Sequence, residues 1–126
     1  MAKTIGSAGL TIGGVTYGES VRAGDLVGWS SGKLVLASGA AGFVVPAVGV
    51  AAAAYDDGET GAFHQLAEVS GYSGLTVGAD QYLSVSEGGA IQGTAPNGVG
   101  EHKQVVGYAV AADRLAVVLQ DAGVLV

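Results

Sequence analysis

The sequence predicts a small all-β domain built from two similar halves, and three observations lead to that prediction. The 126 residues include 23 Gly but only 2 Pro, and 49 % are apolar, mostly Ala and Val. This composition suits thin, closely packed strands better than long helices. No glycine-free stretch has the i, i+3, i+4 apolar spacing of a comfortable helix. The third observation is an internal repeat, and the length is that of one domain.

The repeat runs from about residue 21 to 63 and again from about 75 to 119. Each unit has an entry loop ending in Gly, a strand, a tight Gly turn, a second strand, a variable loop and the pattern V-G-x-A-x-A-A. Three pairs of glycines match: Gly24 with Gly78, Gly32 with Gly88, and Gly49 with Gly107. The chain therefore divides into a segment 1–20 that precedes the repeat and a single β domain, 21–126.

Residues 1–20 are polar, glycine-rich and β-branched, which is typical of an extended segment that pairs with something else. Within them, Gly9–Tyr17 is itself strand-like. The segment is therefore either a free N-terminal arm or a strand of the fold. Its first ten residues contain no apolar run of the signal-peptide kind, so no signal peptide is expected.

Alternating side chains and glycine turns predict the strands of the repeat units. A turn with Gly58 is expected at 56–59, and 51–54 is predicted as strand from its match to the second unit. The tail 121–126 is apolar after Asp121 and predicts a final core strand or a contact segment. The other predicted strands are 26–29, 33–37, 82–85, 90–92, 105–111 and 115–119.

Two classes of partner are excluded by charge and hydropathy. Net charge is −6 and the 5 basic residues do not cluster, so no nucleic-acid partner is expected. Leu34–Tyr55 is uncharged and long enough to span a membrane. It is interrupted by glycines and Pro46, and its counterpart in the second unit carries charges, so no membrane span is expected.

There is no Cys, which excludes disulfides, thiolate zinc sites and Cys nucleophiles.

No constellation of residues indicates catalysis. Ser30 lies in the letter pattern G-x-S-x-G at 28–32, but a nucleophile elbow needs a strand-to-helix turn, and the repeat predicts a hairpin there. His64 and His102 lack the spacing of metal ligands. The acidic residues at 56–59 lack the ligand spacing of a Ca²⁺ loop and read as a turn. We therefore expect no catalytic residue, no metal and no cofactor, and predict that the chain is not an enzyme.

Four segments resemble one protein family: AGDLVG (23–28), AVGVA (47–51), GYSGLTVGADQYLS (71–84) and VVGYAVAA (105–112). Over roughly Val21 to Leu119 the chain resembles bacteriophage capsid decoration proteins, also called head-stabilising or cement proteins, of the lambda type and the related phage β-barrel family. The resemblance implies a small β-barrel or β-tulip-like fold with an extended N-terminal arm.

The resemblance also implies a function. Such a protein is made in the host cytoplasm, binds the outer surface of the capsid, bridges major capsid protein subunits and stabilises the expanded shell. It implies self-association as a homotrimer, with a dimer as the alternative. A phage tail or fibre component, or a host-surface module that binds glycans through exposed aromatic residues, is the competing hypothesis.

Candidate contact residues follow from that resemblance, in which the N-terminal arm adds a strand to the capsid protein. The implied capsid contacts are Thr4, Ile5, Leu10, Ile12, Val15 and Tyr17. The candidate contacts between copies of the chain are Trp29, Phe43 and Tyr82.

Overall fold

The computed structural model describes residues 3–119 and 123–126. Every element in those two ranges is a β-strand, so the all-β prediction is confirmed. The strands are β1 (Thr4–Thr16), β2 (Leu26–Ser30), β3 (Lys33–Leu36), β4 (Ser38–Ala40), β5 (Phe43–Val45), β6 (Gly49–Ala51), β7 (Thr60–Ser70), β8 (Asp80–Leu83), β9 (Ile91–Gln92), β10 (His102–Lys103), β11 (Val105–Ala111), β12 (Arg114–Val118) and β13 (Val124–Leu125).

Nine strands form one curled, half-barrel sheet. Its order is β3-β2-β6-β7-β12-β11-β8-β9, and β1 is added to β7. Two short ribbons, β4-β5 and β10-β13, lie outside this sheet. The protein is thus a small barrel-like β domain.

The long strand β7 joins the two halves. β1 runs antiparallel along its whole length, from Thr4 opposite Ser70 to Thr16 opposite Thr60. The other edge of β7 is shared, because β6 pairs with residues 63–64 and β12 pairs with residues 66–70. Of the two alternatives left open for the N-terminal segment, the structure therefore has the second, a strand of the fold.

The two halves make matching contacts. The amide of Gly24 donates to the Ala51 carbonyl at 2.9 Å, and the amide of Gly78 donates to the Ala109 carbonyl at 2.8 Å. Both glycines have φ of +84°, the left-handed region that an entry turn of this shape requires. The cross-strand pairs of the two halves also correspond. Leu26 lies opposite Val50 as Asp80 lies opposite Tyr108. The next two correspondences match the pair of Val50 and His64 with that of Tyr108 and Ala116, and the pair of Ala51 and Phe63 with that of Ala109 and Leu115.

Two local predictions need correction. The strand expected through 51–54 ends at Ala51, because the chain bends there to bring Tyr55 opposite Val21. Of the two alternatives for the tail, its described part excludes the core strand, since Val124 and Leu125 are exposed and pair with β10, and the contact segment stays a prediction. Residues 121 and 122 of the tail prediction lie outside the described residues.

The uncharged segment Leu34–Tyr55 contains β3 from its second residue onward and all of β4, β5 and β6. In the described ranges, no helix is long and apolar enough to cross a membrane.

Apolar side chains form two core clusters, one on each face of β2 and β6. The main cluster contains Leu26 and Val50, and the second cluster contains Val27 and Ala51. All four are completely buried, and successive strand residues point to opposite faces. The first half of the sheet is therefore covered on both faces. From the second half, the main cluster takes Leu83, Val106, Leu115 and Val117.

Candidate interaction surfaces

The outer edge of β1 has no strand beside it in the described part of the chain. β7 is the strand that pairs with β1, and the backbone hydrogen bonds outside the sheet ladders involve none of residues 4–16. Natural edge strands are usually protected from new partners by charge, proline or brevity. β1 has 13 residues and contains neither a charged residue nor a proline. Its edge is interrupted only by the two register shifts in its pairing with β7, between Ile5 and Ala8 and between Ile12 and Val15. Such an edge can accept an added strand through main-chain hydrogen bonds.

Three of the implied capsid contacts are exposed on β1. Thr4 is exposed, Leu10 is 63 % exposed and Ile12 is 39 % exposed. Leu10 has φ of +53°, an uncommon conformation for a bulky residue. The register of β1 against β7 shifts on either side of this residue, between Ile5 and Ala8 and again after Ile12. β1 therefore combines an open edge with apolar side chains that do not enter the core.

The other three implied contacts belong partly or wholly to the core. Ile5 packs against the main cluster and Val15 against the second cluster. Tyr17 is fully buried, stacks on Tyr55 with ring centroids 4.6 Å apart, and donates a hydrogen bond to the Ala62 carbonyl at 2.7 Å. This burial raises the pKa of the Tyr17 phenol. The expectation that the Tyr17 side chain contacts a partner is wrong in this conformation, because the domain's own core encloses it.

The candidate contacts between copies lie on three separate elements. Trp29, on β2, is 46 % exposed and meets Phe63 edge to face at 6.0 Å. Phe43, on β5, is 64 % exposed. Tyr82 is half-buried in β8, between Gln92 of β9 and Val105 of β11. Trp29 and Phe43 are thus available at the surface, and Tyr82 is held within the sheet.

A further apolar surface was not predicted from the sequence. We call it the outer sheet face and define it as Leu66, Tyr108, Ala116 and Val118. Tyr108 is 45 % and Leu66 39 % exposed, and cross-strand pairing joins Leu66 to Val118 and Tyr108 to Ala116. Two charged residues border this surface, Asp80 opposite Tyr108 and Glu68 opposite Ala116. The alternation in Val105–Ala111 indicates a strand with two faces, but it does not reveal which face the rest of the chain covers.

The residues considered for catalysis or metal binding lie in turns and hydrogen bonds of the β fold. Ser30 ends β2, in a hairpin whose central residues Ser31 and Gly32 both have positive φ, as a type I′ turn requires. This is not the strand-to-helix turn of a nucleophile elbow. His64 shares a 2.7 Å hydrogen bond with Thr11. The Asp56–Glu59 segment is a turn closed by its own hydrogen bonds. Within the described ranges, no three His, Asp or Glu side chains are grouped to hold a metal.

A polar groove of about 1020 Å³ runs between the two halves. Among the residues that line it, Lys3 and Asp25 form a salt bridge, with 2.5 Å between Nζ and Oδ1. Tyr72 lies beside them, and burial, with a smaller contribution from Asp25, raises the pKa of its phenol. The groove also carries charges of both signs, including Arg22 and Glu87, so it favours no single charge class of ligand.

No protein-family model matches the chain, and no curated protein or solved structure matches it either.

Proposed function

We propose that this protein is a structural virion protein that binds the outer surface of a bacteriophage capsid, bridges major capsid protein subunits and stabilises the expanded shell. The observation that carries the proposal is the open edge of β1. A strand of the capsid protein added to this edge would be held by main-chain hydrogen bonds, which demand no particular side chain. The exposed Leu10 and Ile12 would add apolar contacts beside that ladder.

Sequence resemblance and charge support the same proposal. The segments 23–28, 47–51, 71–84 and 105–112 are similar to those of phage decoration proteins. The net charge of −6 would keep a particle that bears many copies soluble and would discourage binding to packaged nucleic acid. On this proposal the partners are the major capsid protein and further copies of the chain, as a homotrimer. The protein acts on the outside of the virion after synthesis in the host cytoplasm, without catalysis and without a membrane or nucleic-acid partner.

The test places charge on the β1 edge without removing core residues. A deletion of residues 1–17 is unsuitable, because it would also remove Tyr17 from the second core cluster. The double variant Leu10→Lys/Ile12→Lys changes two exposed side chains. Its matched control is Val77→Lys/Val99→Lys, which changes two other exposed apolar residues, 66 % and 92 % exposed. Both variants are first compared with the wild type by circular dichroism.

Binding is then measured by cosedimentation with expanded capsids assembled without this protein. We expect the β1 variant to bind about tenfold or more weakly, which corresponds to about 1.4 kcal/mol, and to protect the shells less against heat. The control should bind as the wild type does. If the β1 variant decorates capsids normally, the β1 edge is not the binding surface; if the wild type does not bind capsids, the proposed function is wrong.

A second candidate function is favoured by one observation, the half-exposed indole of Trp29. Exposed aromatic rings serve many partner surfaces, including those of tail or fibre modules that bind glycans. Copy number on the particle separates the two functions, because a decoration protein is present in numbers comparable to the major capsid protein. Glycan-array binding that is lost in Trp29→Ala would favour the receptor-binding function instead.

A further inference from the structure

Gln81, on β8, is a buried glutamine that lines the polar groove between the two halves. The residue is 4 % exposed, yet its side-chain amide forms no hydrogen bond within the described chain. Buried amides are nearly always hydrogen-bonded, so an unpaired one requires an explanation. The amide is not sealed from the surroundings of the protein, because it opens into the groove. A group that enters the groove can therefore reach it.

The internal repeat shows that the fold does not need an amide at this position. Gln81 lies opposite Gly107. In the first half, the corresponding cross-strand pair is Val27 and Gly49. Val27 is completely buried and packs in the second core cluster. An apolar side chain thus fills the position in one half, whereas the other half places a hydrogen-bond donor and acceptor there.

The space beside the Gln81 amide is an open strand edge. A Cβ on Gly93 would lie 3.8 Å from Gln81 Oε1, with no other atom of the described chain in contact apart from its sequence neighbours. Gly93 therefore leaves room over the amide. β9 is the last strand in the sheet order, and its residues Ile91 and Gln92 line the groove. In the described ranges, neither of them forms a backbone hydrogen bond outside the sheet ladders.

The charges of the groove do not select an ionic ligand. Lys3 and Asp25 neutralise each other in their salt bridge. Arg22 and Glu87 supply one further charge of each sign. A ligand that is polar but uncharged therefore fits the groove better than an anion or a cation.

Gln104 shows which uncharged group a buried glutamine amide binds in this molecule. Its Oε1 accepts a hydrogen bond from the Ala47 amide, and its Nε2 donates to the Ala47 carbonyl, both at 2.9 Å. A carboxamide is a donor and an acceptor at once, which matches the N–H and C=O groups of a single residue. Gln81 offers the same pair of groups beside an open strand edge, so a peptide main chain is the ligand that fits.

We propose that the polar groove binds an extended peptide segment of a partner protein, and that the Gln81 amide pairs with the main-chain N–H and C=O groups of one residue in that segment. The edge of β9 adds main-chain hydrogen bonds beside this pair, as in strand addition. The lining of the groove includes no residue of β1. The site is therefore additional to the β1 edge, and it does not depend on the capsid-binding proposal.

The first experiment checks that the Gln81 amide has no partner inside the fold. Gln81→Leu replaces an unpaired buried amide by an apolar side chain of similar size, so the free energy of unfolding in urea is expected to stay equal or to rise. Gln104→Leu is the comparison and is expected to lower it, because two bonds to Ala47 are lost. A decrease in Gln81→Leu as large as that in Gln104→Leu would show that the fold itself uses the amide, and it would overturn the proposal.

The second experiment measures binding of a blocked, uncharged tripeptide, N-acetyl-trialanine N-methylamide, by NMR of the ¹⁵N-labelled full chain. The side-chain NH₂ signals of Gln81 and the backbone amide signal of Gly93 are expected to shift and to saturate, with a Kd in the millimolar range for so small a ligand. The NH₂ signals of Gln65, which is half-exposed on β7, are the internal control and should not saturate.

Two variants locate the binding. Gln81→Leu removes the amide, and Gly93→Val fills the space over it, so each is expected to weaken tripeptide binding about tenfold or more, which corresponds to about 1.4 kcal/mol. Gln65→Leu is the matched control and should bind as the wild type does. Circular dichroism verifies that each variant is folded.

Three results would overturn the proposal. The tripeptide could produce no saturating shift at Gln81, which excludes peptide binding. It could bind equally well to Gln81→Leu and Gly93→Val, which excludes the groove as its site. Methyl α-glucoside, an uncharged ligand rich in hydroxyl groups, could saturate the Gln81 signals where the tripeptide does not, which would make the groove a carbohydrate site. None of these measurements uses capsids, so their failure is distinct from a failure of the proposed function.

Discussion

At the scale of single residues, Gln104 shows how one side chain connects the two halves. It is 1 % exposed. Its Oε1 accepts a hydrogen bond from the Ala47 amide at 2.9 Å, and its Nε2 donates to the Ala47 carbonyl at 2.9 Å. Buried backbone groups are nearly always paired, and here a side-chain amide takes the place of a neighbouring strand.

This geometry predicts a large effect for Gln104→Leu. The apolar side chain leaves the Ala47 amide and carbonyl buried without these two bonds, so the free energy of unfolding should fall by about 2–4 kcal/mol. Urea unfolding followed by circular dichroism measures the change. Gln65→Leu, a half-exposed position on β7, is the control and should change stability by about 0.5 kcal/mol or less. Equal effects at the two positions would contradict the bridging role of Gln104.

Tyr17 illustrates the limit of prediction at this scale. The resemblance described above implies that Tyr17 is a contact residue on an N-terminal arm. The structure instead encloses it, stacked on Tyr55 and bonded to Ala62. Nothing local distinguishes the two outcomes, because Tyr55 and Ala62 are brought to Tyr17 by the return of the chain through β7.

At the scale of secondary-structure elements, the matched glycines of the repeat allow close strand packing. A Cβ on Gly107 would overlap the carbonyl oxygen of Ala116, and a Cβ on Gly49 would overlap that of His64. These glycines occupy corresponding positions in the two halves, on β11 and β6. Their matching positions in the sequence therefore reflect one packing requirement, met twice.

We predict that Gly107→Ala and Gly49→Ala each destabilise the protein by about 1–3 kcal/mol, as expected when atoms are forced into a packed interior. Thermal and urea unfolding measure the effect. Gly13→Ala is the matched control, because a Cβ there meets nothing within 4 Å. If all three variants unfold alike, close packing is not what keeps glycine at the two repeat positions.

The elements themselves were largely predictable. Alternation in Val105–Ala111 gives β11 with both bounds correct, and the glycine loop around Gly32 gives the β2-β3 hairpin. Alternation and turn residues act over a few neighbouring positions, so a single sequence reveals them. The end of β6 at Ala51 was missed, since an alanine run has no turn residue to mark the bend toward Tyr55.

At the scale of the whole molecule, two buried phenols predict a loss of stability in alkali. Burial raises the pKa of Tyr17 and of Tyr72 in the folded protein, whereas an unfolded chain releases these protons near pH 10. Above that pH the unfolded state binds fewer protons than the folded state, so the free energy of unfolding decreases as pH rises.

The expected slope approaches about 1.4 kcal/mol per pH unit for each such tyrosine above about pH 10. Urea unfolding between about pH 8 and pH 11 measures it, and the steepness above pH 10 should decrease in Tyr72→Phe and in Tyr17→Phe. Two results would contradict a raised phenol pKa in the folded state. The free energy of unfolding could stay constant across this range, or it could fall as steeply with pH in the variants as in the wild type.

Periodicity and glycine spacing are local properties, so the all-β class, the duplicated unit and most of its turns could be predicted from the amino-acid sequence alone. The open edge of β1 and the exposure of the outer sheet face depend instead on how distant parts of the chain pack together. Val50 and Tyr108 occupy equivalent positions, yet one is buried and the other exposed. Which copy of a repeated face is covered depends on how the two halves fold together through β7, and no local pattern records that.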